Sequence, residues 1–302
     1  MQQDTGSLET IRDFIRWGAS RFNRAELYYG HGTDNALDEA VVLVLHALSL
    51  PADIPATYLD ARVTASEKGA ILSLLSQRVD QRVPAAYLTN EARFAGLDFY
   101  INEHVLVPRS PIAELIAQEF APWVSADSID RVLDLCTGSG CIAIGCALAF
   151  PDASVDAVDL SPTALEVAQI NISRHDLGDR VEAIQSDLFN SLRGRRYDLI
   201  VSNPPYVSQE EYLALPLEYH REPIIGLEAG PDGLDLVSRI LTDGIDYLEP
   251  GGVLIVEVGS SADALMRRYP EVPFLWLDFK HGGDGVFLLT AEQLAEYQSC
   301  FD

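Results

Sequence analysis

Four consecutive residues, Asn203-Pro204-Pro205-Tyr206, have the make-up of a holder for a planar nitrogen. Proline restricts its predecessor to extended backbone, so Asn203 is held in β or polyproline geometry, and the second proline stiffens the turn that follows. A planar amide or amino group with two N–H bonds can give one to the Asn203 side-chain oxygen and the other to a carbonyl of the turn. The Tyr206 ring can then pack on its face. An amide nitrogen is delocalised into its carbonyl and is a poor nucleophile. Two accepted hydrogen bonds would orient it for in-line attack on a carbon electrophile and push electron density toward it as the new bond forms. No histidine is required as base, because the N–H becomes acidic only as positive charge develops. Asn203, Pro204 and Tyr206 are therefore the candidate catalytic residues, and Asn203 to Tyr206, Pro205 included, the candidate substrate seat.

A ligand loop lies upstream, Asp134-Leu135-Cys136-Thr137-Gly138-Ser139-Gly140, between a β-branched run and a helical stretch with Ile142, Ala143 and Ile144. Glycines at a strand-to-helix turn let a ligand approach the backbone. Gly138-x-Gly140-x-x-Ala143 also fits the dinucleotide fingerprint, with Asp159 about 20 residues on, where a ribose-binding acid belongs. Spacing does not separate NAD from S-adenosylmethionine; charge favours the second. Asp134 puts a carboxylate beside the loop, and neither Lys nor Arg occurs from Leu133 to Ser173, where a pyrophosphate would call for positive charge. A sulfonium and an ammonium suit such a site. Asp159 can accept from both ribose hydroxyls, and Asp187 with Leu188 offers the adenine a polar and an apolar side. Taken singly, Asp159 and Asp187 also fit plain helix caps.

The elements that position these residues follow from periodicity. Up to Val83 the spacing is helical, as in Ile11, Phe14, Ile15 and Phe22, and Thr64 with Glu67 fits a capping box. Between Pro84 and Pro108 two alternating runs flank Ala95-Gly96, which predicts a hairpin. Beyond Ile129, strands over Arg131–Leu135, Ser154–Asp159, Val181–Gln185, Tyr197–Ser202 and Gly252–Val258 alternate with helices, one starting at Ser161-Pro162, and predict a parallel α/β sheet. Phe274–Phe279 and Val286–Thr290 lack room for a crossover helix and should pair antiparallel. The chain thus reads as a helical substrate-recognition domain (1–83), a hairpin linker (84–108) and a ligand-binding α/β domain (109–302). Val207 to Pro231, long and irregular, is expected to be a lid or docking loop.

Bulk properties narrow the partners. Of 302 residues 48% are hydrophobic and 22% charged, an ordinary globular balance. The most apolar run, Val132 to Phe150, is broken by Asp134 and glycines, and Met1 to Gly6 lacks a basic start, so neither a membrane span nor a secretion signal is expected and the cytoplasm is the default. The 4 cysteines form no Cys-x-x-Cys pair and read as reduced thiols, and the 6 histidines show no metal-ligand spacing. A net charge of −25 repels phosphate backbones and attracts basic proteins. This weighs against an adenine-N6 nucleic-acid methyltransferase, which the tetrapeptide would otherwise serve; Arg193, Arg195 and Arg196 are too few for a duplex track. An assembly factor with a ligand loop that has lost its chemistry is a further alternative, and the intact Asn203 argues against it.

From about Pro84 to Thr290 the chain resembles the glutamine N5-methyltransferase family, known from enzymes that modify release factors and a large-subunit ribosomal protein. The likeness rests on Phe94-Ala-Gly-Leu-Asp-Phe-Tyr100, the Asp134–Gly140 loop, Asn203–Tyr206 and Asp232-Gly-Leu-Asp235. It implies a Rossmann-like class I methyltransferase sheet of seven strands, mostly parallel with the last strand antiparallel, behind a small N-terminal helical domain. It also implies S-adenosylmethionine as methyl donor, leaving S-adenosylhomocysteine, with donor contacts at Cys136, Thr137, Gly138, Ser139, Gly140, Asp159 and Leu188 and with Asn203 facing donor and substrate alike. The release-factor branch usually reads Ile-Pro-Arg-Pro-Glu-Thr-Glu where this chain has Val107-Pro-Arg-Ser-Pro-Ile-Ala-Glu114, and has glycine at the position of Cys136. These departures, with Glu218-Tyr-His-Arg-Glu-Pro223 and His281-Gly-Gly-Asp-Gly-Val-Phe287, match the ribosomal branch, whose substrate is ribosomal protein L-three.

Overall fold

The structure, a computed structural model, describes residues 5–301. Most of the Met1–Gly6 start lies outside the described residues. The chain divides into two compact units, one reaching to Glu91 and including Pro216–Arg221, the other formed by Ala92–Leu215 and the rest.

The first unit is built on helices Ile11–Arg24, Ala36–Ala47 and Ala65–Asp80. Thr10 and Thr64 start two of them with reciprocal capping boxes, to Asp13 and Glu67, and Asn35 caps the third. Phe14, Phe22, Leu43, Ile71 and Leu75 fill the space between them. Gly18 permits the close crossing: a Cβ there would stand 3.2 Å from Leu75 and 3.4 Å from Ala40. An ionic cluster is sealed among these helices. Arg78 gives Nε to Glu39 (2.5 Å), Nη1 to Glu218 (3.2 Å) and Nη2 to the Tyr28 carbonyl (2.8 Å). Arg82 also reaches Glu218, at 3.3 Å. Burial pushes the Glu218 carboxyl up, but the Tyr28 N–H and Arg78 outweigh it and leave it below its ordinary value.

In the second unit, β1 (Glu91–Phe94, beginning one residue earlier) and β2 (Leu97–Tyr100) form the hairpin. The main sheet comprises β3 (Arg131–Leu135), β4 (Ser154–Asp159), β5 (Val181–Gln185), β6 (Tyr197–Ser202), β7 (Leu248–Glu257), β8 (Leu275–Trp276) and β9 (Val286–Thr290), in the order β5-β4-β3-β6-β7-β9-β8. The pairs from β5 to β7 are parallel and β9 runs antiparallel to β7 and β8. This sheet matches the expected class. The order reverses between β3 and β6, so the carboxyl ends of these strands open on one crevice, the usual ligand position in such sheets.

Two strands differ from their expected extents. β7 starts at Leu248 rather than Gly252, because Leu248 pairs with Tyr197 across a register shift that accommodates Pro250, a bulge being where a strand tolerates proline. The expected Phe274–Phe279 strand keeps only Leu275 and Trp276, whose partners are Leu288 and Phe287 at the sheet edge. Residues 207–231 are more ordered than their composition suggests. Ser208 and Glu211 cap a helix, Gln209–Ala214, and the Val207 N–H donates to the Leu227 carbonyl at 2.8 Å, tying the ends together. Pro216–Arg221 groups with the helical unit, where Glu218 meets Arg78. Arg195, counted as part of a basic cluster, is spent on Asp156 (2.8 Å) and Glu182 (2.9 Å), and Arg196 on the Leu248 carbonyl.

No helix among the described residues is long and apolar enough to cross a membrane. Among them, too, no group of His, Cys, Asp and Glu is disposed to hold a metal ion.

Candidate active site

The loop after β3 is shaped by left-handed backbone at Cys136 (φ 61°), Gly138 (φ 55°) and Gly140 (φ 80°). Cys136 thus sits where glycine is favoured. Gly140 is also held by space, since a Cβ would come 3.3 Å from that of Ala168. Asp134 fastens the loop from below: one carboxylate oxygen accepts from Thr137 Oγ1 (2.5 Å) and the Ala143 N–H (3.0 Å). The side chain is fully buried, and burial pushes its carboxyl up to about 7 against those two donors. Asp159 fastens the loop from β4: one oxygen accepts from the Gly138 N–H and the other from the Ser161 N–H, both at 2.9 Å. Burial raises its carboxyl as well, and these N–H groups oppose the rise. Burial and the nearby Asp159 push the Cys136 thiol well above its ordinary range, so it is a neutral wall group.

These loops enclose a cavity. Its lining includes Cys136, Thr137, Gly138 and Ser139, Asp159, Asp187 and Leu188, Asn203 and Pro205, His104–Ser110, and Ile225-Gly226. Among the described residues Arg109 is the only cation in the wall, and Glu222 neutralises it with two bonds of 2.7 and 2.8 Å. Asp187 pairs with Arg239 at 2.8 Å. The Asn203 amide is half-buried and takes no hydrogen-bond partner among the described residues, while Pro204 and Pro205 beside it are buried.

Asp134, Gly140, Pro204 and Tyr206 are not among the residues that line this cavity. Asp134, fully buried, braces the loop through Thr137 and the Ala143 N–H. Gly140 faces the Ala168 helix, and the Tyr206 hydroxyl donates to Glu257 at 3.1 Å.

Other residues hold the site that sequence reasoning had not assigned. Asn171, fully buried, donates to the Ser139 and Tyr100 carbonyls and accepts from the Tyr100 N–H, joining the loop to β2. Ser261 Oγ donates to the Tyr206 carbonyl at 2.7 Å, and Gly233 lets the Asp232–Asp235 turn pass, a Cβ there meeting that carbonyl at 2.1 Å. The stretches Val107–Glu114, Glu218–Pro223 and His281–Phe287 also meet: Arg109 on Glu222, and the Lys280 and His281 N–H groups on Glu114 at 3.0 and 2.8 Å.

Comparison with known proteins places this geometry. A family model, the methyltransferase small domain, matches residues 114–215. The hMettl16 catalytic domain, solved with an RNA hairpin, superposes with a TM-score of 0.51 at 18% identity over 74% of this chain and 80% of that one, a likeness of fold alone. The ribosomal protein uL3 glutamine methyltransferase of Francisella tularensis is 50% identical over 302 residues, 99% of this chain and 96% of the relative. That of Neisseria gonorrhoeae is 52% identical over 294 residues, 97% and 98% of the two chains. With relatives at half identity along nearly its whole length, the chain belongs to the ribosomal protein uL3 glutamine methyltransferase family.

Proposed function

We propose that the chain transfers a methyl group from S-adenosylmethionine to the side-chain amide nitrogen of a glutamine in ribosomal protein uL3, in the cytoplasm, without specific binding to DNA. The observation that carries this reading is the Asn203 amide, without a hydrogen-bond partner among the described residues, in the lining of the same cavity as the glycine loop and followed by two buried prolines.

The cavity fits the donor. Its loop wall is neutral or acidic, as a sulfonium and an ammonium require, and the one arginine present is already neutralised. Cys136 to Ser139 would lie along the donor, Asp159 would accept from the ribose hydroxyls with the lone pairs left by its two backbone donors, and Leu188 with Asp187 would flank the adenine. When bound, S-adenosylmethionine supplies an electrophilic methyl carbon. Asn203 accepts one N–H of the substrate amide and the Pro204 carbonyl the other, so that the nitrogen lone pair is aimed before reaction. The surplus proton passes from the positive nitrogen to solvent water, with no dedicated base, and S-adenosylhomocysteine would be the departing product.

Asp159→Ala tests the donor half. It removes the ribose acceptor and the anchor of the Gly138 N–H together, so calorimetry should show S-adenosylmethionine binding at least roughly tenfold weaker. Unchanged affinity would refute the ribose assignment.

A further inference from the structure

Glu257 ends β7 with 5% of its surface exposed, and among the described residues it has no ion-pair partner. A buried carboxylate is costly unless hydrogen-bonded. Both oxygens are engaged by hydroxyls: Ser110 Oγ donates to Oε2 at 2.5 Å and the Tyr206 hydroxyl to Oε1 at 3.1 Å. Burial pushes this carboxyl up, and those two donors hold it back. An apolar residue would serve the core at lower cost, so the acid needs a reason outside packing.

The surroundings supply it. Gly259 gives the Tyr206 ring its place, since a Cβ there would come 2.5 Å from the ring. Gly285 presses on Gly259, where a Cβ would stand 2.4 Å from the Gly259 carbonyl oxygen. Ser110 lies in the Val107–Glu114 stretch and Gly285 in the His281–Phe287 stretch. Ser110 and Gly285, far apart in the sequence, thus converge on the atoms that fix Tyr206.

We propose that Glu257 is a positioning residue for the glutamine seat: clamped by Ser110, it holds the Tyr206 hydroxyl and so the angle at which the ring meets the substrate amide. This rests on the reading of Tyr206 as a wall of that seat. Tyr206 does not line the cavity assigned to the methyl donor, so the effect of the clamp belongs to the protein substrate rather than to the donor.

The test is a mutant cycle read by labelled methyl transfer to purified uL3, with S-adenosylmethionine affinity measured alongside. Tyr206→Phe and Glu257→Leu should each lower kcat/KM for uL3 roughly tenfold, the worth of one hydrogen bond to a charged group. The double variant should be no worse than either single, because both remove the same bond. Glu257→Gln, which keeps an acceptor, should recover most of the activity, and donor affinity should stay unchanged throughout. Losses that multiply to about a hundredfold in the double variant would overturn the proposal, as would a normal rate for Glu257→Leu beside an impaired Tyr206→Phe. Should Glu257→Leu fail to fold, Ser110→Ala in the same cycle with Tyr206→Phe loosens the clamp and leaves the acid in place; additivity there overturns the proposal equally. Tyr206→Ala with undiminished transfer would instead remove Tyr206 from the substrate seat, and the inference with it.

Discussion

Replacing Asn203 by alanine is expected to lower turnover roughly 10²-fold or more while donor affinity changes little. The side-chain oxygen accepts a hydrogen bond that strengthens as positive charge grows on the attacking nitrogen, so its loss falls on the transition state rather than on binding. Its backbone is held by Pro204 and by β6, and those constraints survive truncation. Single-turnover kinetics with donor and uL3 both saturating separates the two effects. A slow chemical step with near-normal donor affinity is the expected pattern; a near-normal rate would remove Asn203 from its role.

Replacing Arg78 by leucine is expected to destabilise the helical unit by about 3–5 kcal/mol, the cost of leaving a buried carboxylate without its partner. Glu39 would be left with its bond from Thr33 (2.8 Å), and Glu218 with Arg82 and the Tyr28 N–H. The pH dependence identifies the cause. In the native protein Glu218 has a lowered carboxyl, so its contribution is present above the unfolded pKa and is lost as pH falls through the folded value. In the variant an orphaned buried carboxylate has a raised pKa, so stability should partly return as pH falls from about 7 toward about 5. Urea unfolding at the two pH values checks this. A loss of the same size at both would mean missing packing rather than missing charge.

The central strands were legible because each is a short run with β-branched residues set between helical stretches: Arg131–Leu135 and Tyr197–Ser202 are strands over the residues read from the pattern. The boxes at Thr64 and the Ser161-Pro162 start were legible for the same local reason. One local signal went unused, since Ser208 and Glu211 spell a capping box inside the stretch read as irregular. What sequence could not show were roles made by long-range contact. Asn171 has meaning only beside Ser139, Glu222 only beside Arg109, and Glu218 only beside Arg78. The same holds for Asp134 and Tyr206, whose polar ends meet Thr137 and Glu257.

The most direct measurement is transfer of labelled methyl from S-adenosylmethionine to purified ribosomal protein uL3 and, in parallel, to a release factor, with peptide mass mapping of both. Label on a glutamine side chain of uL3 and none on the release factor is the predicted result. Label on the release factor alone would contradict the substrate assignment, and label on neither would contradict glutamine methylation itself.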